Sequence, residues 1–131
     1  MKLRSDFVTN SSSSSFVIAY QEPKDAFHAM VLDVFLDETG DCDSTCATRV
    51  DSLQALEPSI LRWCDWTRKQ TIEELIEEDT SAAKVYQRAK KALSEGLTVA
   101  FKEVSYYNAT LHRLSDMLVE SGDMTILLKE G

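Results

Sequence analysis

Long apolar runs, basic residues and cysteines are all scarce in this chain, and each shortage excludes a class of protein. No run approaches the ~20 apolar residues that a membrane-crossing helix needs. Lys2 and Arg4 could open a signal peptide, but Asp6 and the five serines Ser11–Ser15 stand where its apolar core belongs. Nothing marks the chain for export, and a cytoplasmic location is expected. Lys and Arg number 14 against 22 Asp and Glu, a net charge of -8. That balance opposes nucleic-acid binding, which needs a positive field to displace counterions. The short clusters Arg68-Lys69 and Arg88 through Lys91 read as solvated helix faces. Three cysteines (Cys42, Cys46 and Cys64) are too few, and odd in number, for a disulfide framework. Without a secretory route, the formal glycosylation sequons at Asn10 and Asn108 carry no weight.

What remains is the composition of an ordinary globular domain. The 131 residues are 44% hydrophobic and 27% charged, enough to bury a core in one unit. Phe16-Val-Ile-Ala-Tyr20 reads as a buried strand. After the breaker Gln21-Glu22-Pro23, the residues Ala26, Phe27, Met30, Val31, Val34 and Phe35 recur at helical spacing, predicting a helix over about 23–36. Residues 37–48 lack periodicity and read as an exposed acidic loop. Leu53 and Leu56 predict a short helix that Pro58 closes or kinks, and Ile60, Leu61 and Cys64 carry a second apolar stripe beside Trp63 and Trp66. Thr71 with Glu74 three residues on is a capping-box start. A helix over 81–95 follows, with Ala82, Val85, Ala89 and Leu93 inward and Gly96 at its end.

The C-terminal third alternates clearly. Leu97, Val99 and Phe101 form a period-2 strand, Leu111, Leu114 and Leu118 a helix stopping near Gly122, and Met124–Leu128 a last strand. Strand, helix, strand over this length predicts a βαβ unit with two parallel strands, either adjacent or one strand apart. The expected fold class is α/β, or α+β, in a single domain: a small, mainly parallel three-stranded sheet covered by about five helices.

The N-terminal segment, residues 1–15, is the anomaly. Met1-Lys-Leu-Arg-Ser-Asp-Phe-Val-Thr-Asn followed by Ser11–Ser15 and Phe16 resembles the opening of a scattered set of uncharacterised bacterial proteins. Those proteins begin with a basic pair, a Phe-Val-Thr-Asn block and a serine run ending in Phe. The likeness spans the first 17 or so residues, implies a bacterial protein and carries over no catalytic residues. Serine runs usually mark linkers, but Phe7-Val8 upstream predicts that both Phe7 and Phe16 pack on the body and hold residues 11–15 in order.

Ordered serines would offer hydroxyls and converging backbone amides to an anion. The run lacks the glycines and lysine of a P-loop, and no Gly-x-Ser-x-Gly elbow exists for a nucleophile. Tyr106 and Tyr107 follow the carboxyl end of a predicted strand, and a parallel sheet would bring Tyr20 to the same edge. Cys42-x-x-x-Cys46 has no second ligand pair for zinc, and Asp37, Asp41, Asp43 and Asp51 do not match an EF-hand. No cofactor or metal is expected, and His28 and His112 read as surface residues. Trp63 and Trp66 read first as core and second as a partner-binding hot spot. The expected function is therefore a non-enzymatic module that binds a protein partner or a second copy of itself. The alternative is a binder of, or enzyme on, a small phosphorylated ligand at Ser11, Ser12, Ser13, Ser14, Ser15, Tyr20, Tyr106 and Tyr107.

Overall fold

The computed structural model describes residues 13–39, 44–64 and 71–130. The elements in chain order are β1 (Ser13–Tyr20), α1 (Ala26–Asp37), β2 (Thr48–Val50), α2 (Leu53–Cys64), α3 (Ile72–Glu78), α4 (Thr80–Ser94), β3 (Thr98–Ser105), α5 (Ala109–Glu120) and β4 (Met124–Glu130). Their sheet order is β2-β3-β1-β4, and every neighbouring pair is antiparallel.

The mainly parallel three-stranded sheet is thus corrected to a four-stranded antiparallel one. Two physical reasons account for the difference. The fourth strand, β2, is three residues of a polar stretch, Thr48-Arg49-Val50, with only Val50 buried. It takes its place by pairing with β3, not through an apolar run of its own. The second reason is that β1 inserts between β3 and β4 and runs against both. The strands of the C-terminal unit therefore point the same way, one strand apart, with α5 between them in sequence.

Helices cover both faces. Phe16, Ile18, Ala100 and Val104 pack under α1 and α5, through Val31, Leu32, Phe35, Leu36, Leu111 and Leu118. Val17, Val99 and Phe101 pack under α2, α3 and α4, through Leu56, Ile60, Leu75, Val85 and Ala89. Burial on both sides explains why Phe16–Tyr20 is a continuous apolar run instead of an alternating one. It also explains why Ala100 and Lys102, on the side of β3 that alternation leaves polar, are fully buried.

Local chemistry sets the helix ends. Asp25, Thr71, Asp79 and Asn108 cap α1, α3, α4 and α5 with side-chain oxygens, and Thr71 and Glu74 complete the capping box. Beyond α4, Gly96 at φ +85° lets its own amide reach the Leu93 carbonyl and that of Leu97 reach Ala92. Of the two effects expected of Pro58, closure does not occur, because α2 runs on to Cys64. Pro58 removes one backbone donor, but Leu56 and Ile60 on either side are fully buried and hold the helix to the sheet. Helix α1 also differs from expectation. Its inward residues are Val31, Leu32, Phe35 and Leu36, while Phe27, Met30 and Val34 face out. Apolar residues surround this helix, and spacing alone does not say which side meets the sheet.

Candidate functional site

The serine run enters the structure at Ser13 and is strand, not turn. Ser13, Ser14 and Ser15 are buried in β1, and Phe16 packs edge-on against Phe35 with ring centroids 5.8 Å apart. Ser11, Ser12 and Phe7 lie outside the described residues. Pairing consumes the backbone here. Ser13, Ser14 and Ser15 are in register with Ser105, Val104 and Glu103 of β3, and Ser15 also with Glu130 of β4.

Alternation puts Ser13, Ser15, Glu103 and Glu130 on the face covered by α2–α4. Ser13 Oγ donates to Glu103 Oε1 at 3.1 Å. An anion brought to these serines would meet carboxylates, and strand pairing leaves no fan of converging amides to receive it.

The tyrosines part company. Because β1 and β3 are antiparallel, Tyr106 and Tyr107 sit at the serine end of the sheet and Tyr20 at the other. Seven residues of strand separate the two ends, about 23 Å at ~3.3 Å per residue. Tyr107 projects with 88% of its surface exposed. Tyr20 is buried, and its hydroxyl accepts from Arg49 Nε at 3.2 Å. Arg49 Nη1 also pairs with Asp37 at 3.2 Å. Burial works against the Arg49 charge, but Asp37 and Tyr20 outweigh it and raise its pKa. Cys46 Sγ donates to the same Asp37 carboxylate at 3.7 Å. Cys42 lies outside the described residues, and among those described no three metal-ligating side chains cluster.

Among the described residues the histidine rings make their polar contacts to a carbonyl and to carboxylates. His112 Nε2 donates to the Ser105 carbonyl at 3.0 Å, joining α5 to the end of β3. His28 Nδ1 lies 3.0 Å from Asp123 Oδ2 and 3.7 Å from Asp25 Oδ2. Ser121 Oγ donates to that same Asp123 oxygen at 2.7 Å. A catalytic triad places serine and carboxylate on opposite nitrogens of the histidine. Here both partners address one carboxylate, which ties the start of α1 to the turn before β4.

Trp63 is half-buried and packs against the core without being buried in it, its ring tilted 40° to that of Phe101 with centroids 5.4 Å apart. Trp66 lies outside the described residues. Lys102 escaped notice in the sequence because it occupies the polar phase of an alternating strand. It is fully buried, and its Nζ donates to the carbonyls of Leu36 (3.4 Å), Glu38 (3.1 Å) and Thr45. The ammonium thereby closes the C-terminus of α1 and holds the 44–47 segment against β3.

One surface feature is left over from the packing. Phe27, Met30 and Val34 line one side of α1 at i, i+3 and i+7 and are 54%, 54% and 40% exposed. Asp33 and Asp37 are exposed beside them.

Comparison with family models, with curated proteins and with solved structures gave no match. No helix among the described residues is long and apolar enough to cross a membrane.

Proposed function

We propose that the protein is a partner-binding module whose docking surface is the outer face of α1. The observation that carries this reading is the exposed stripe Phe27, Met30 and Val34 on a helix whose core contacts are already complete through Val31, Leu32, Phe35 and Leu36. Large apolar groups in one row at helical spacing suit an amphipathic partner segment laid along the helix. Methionine in the middle of the row adapts to varied shapes. The neighbouring Asp33 and Asp37, and the net charge of -8, favour a partner with basic residues beside its apolar ones. A second copy of this chain would bring the same negative charge and is the weaker occupant.

The test is amide-shift mapping with a synthetic Leu/Lys amphipathic helix and a scrambled peptide of equal composition. The amphipathic peptide is expected to shift residues 26–34, and Phe27→Ser with Met30→Ser to abolish the shifts without lowering Tm. Equal response to the scrambled peptide would defeat the reading. So would shifts spread over the whole surface. A dimer in sedimentation velocity that the double substitution dissolves would replace the partner by a second copy.

A further inference from the structure

Between α4 and the β4 side of the sheet lies a cavity of about 320 Å³, on the opposite face from α1. Its floor is short: Ala19 on β1, Ala92 on α4 and the apolar Leu127 on β4. Two cations of α4 one turn apart, Arg88 and Lys91, line it, with Glu95 a further turn along.

The sheet itself holds one of these cations in place. Val17 pairs with Leu128 and Ile18 with Ile126, so Leu127 is the extra residue of a β-bulge. A bulge leaves its extra residue outside the ladder. Arg88 Nη1 donates to the Leu127 carbonyl at 2.8 Å, which satisfies that group and fixes the guanidinium at the cavity. The remaining donors of the planar fork are then preorganised for a second acceptor. Lys91 has no ion pair among the described residues.

We infer that this cavity binds a small monocarboxylate with a short apolar body, its head group on Arg88 and Lys91 and its body over Ala19, Ala92 and Leu127. One arginine and one lysine with Glu95 leave a single net positive charge, which matches a carboxylate better than a phosphate dianion. Apolar walls with a few placed polar groups are the usual make-up of a small-molecule site. In a chain of net charge -8, two cations on one concavity also favour an anion there. This inference is independent of the α1 docking surface, and either can fail alone.

The test is amide-shift titration of the intact protein with hexanoate, hexan-1-ol and inorganic phosphate. Hexanoate is expected to give saturable shifts at Ala19, Leu97, Thr125 and Ile126. Hexanol should bind about tenfold more weakly, the factor that one charge-assisted hydrogen bond supplies. Phosphate should give no saturable shift at these positions. Because Arg88 also supports the bulge, the deciding variant is Lys91→Gln, which leaves the Leu127 bond intact. It should weaken hexanoate by about tenfold, with hexanol unchanged. Equal binding of hexanoate and hexanol would reduce the cavity to an apolar crevice and overturn the inference. An unaffected Lys91→Gln variant, stronger binding of phosphate than of hexanoate, or no saturable hexanoate shift would do the same.

Discussion

Helices α1 and α4 lie on opposite faces of one sheet and turn different surfaces away from it. Inside, α4 presents small residues, Ala82, Val85, Ala89 and Ala92, and outside it is cationic and polar, with Lys84, Gln87, Arg88, Lys90 and Lys91 exposed. Helix α1 presents Val31, Leu32, Phe35 and Leu36 inside and keeps Phe27, Met30 and Val34 outside. The ends differ too. Past α4, glycine geometry satisfies the last carbonyls, whereas past α1 a buried lysine does so. A helix that covers a sheet ordinarily turns a charged, polar face outward, as α4 does. The surplus on α1 is what its fold does not explain.

The sharpest way to break this comparison is to truncate one phenylalanine on each side of α1. Phe35→Ala should cost ~3–5 kcal/mol, the range for emptying a core aromatic site. Phe27→Ala should stay within about 0.5 kcal/mol, as surface changes do. Urea unfolding of both variants gives the values. A cost of several kcal/mol for Phe27 would return that residue to the core and leave α1 without a spare face.

The same contrast shows what was legible in the sequence. α4 was placed to within a residue or two, because small apolar residues on one side and charges on the other give a single inward direction. α1 was found as a helix with Val31 and Phe35 in its apolar stripe, and both are buried, but Leu32 and Leu36 complete the inward face in place of Phe27, Met30 and Val34, since apolar residues occur on more than one of its sides. The sheet was misread for a related reason. Periodicity locates strands but not their neighbours, and β2 has almost no apolar signal of its own. The serine run was singled out as unusual and expected to be an ordered turn or strand, but the burial of Ser13, Ser14 and Ser15 in the sheet was not anticipated. Nor was its proximity to Glu103 and Glu130, because those carboxylates come from strands roughly 90 and 115 residues away, and only the register of β1 brings them close. Lys102 was invisible for lack of any local cue, since the carbonyls that hold it belong to α1 and the 44–47 segment.

Lys102 offers the next test, of how α1 is anchored. Lys102→Met keeps the aliphatic stem but strips the donor from the carbonyls of Leu36, Glu38 and Thr45. The expected loss is roughly 2–3 kcal/mol, the cost of leaving buried acceptors without a charged partner. Hydrogen exchange should quicken most in the last turn of α1 and in 44–47. If the loss is spread evenly over the molecule, the lysine is a general core residue and not the anchor of that helix end.

A smaller loss than that at Lys102 is expected on α4, where a polar bond joins it to α2. Tyr86 donates its hydroxyl to Glu57 Oε2 at 2.7 Å, and the Lys90 ammonium sits 5.0 Å from the ring centroid. The bond to Glu57, and then burial, raise the Tyr86 pKa above its ordinary value of 10.0. A phenol whose folded pKa is raised stabilises the fold fully below the unfolded value and loses that contribution as pH climbs through the folded one. Tyr86→Phe keeps the ring and its packing, so near pH 8 it should cost about 1 kcal/mol. Above about pH 10 the wild type begins to lose its advantage, and the difference between the two proteins should shrink. Urea midpoints of both proteins across the alkaline range measure this directly. A deficit that stays constant as the phenol ionises would mean that the hydroxyl contributes nothing through Glu57, and that α4 meets α2 by apolar contact alone.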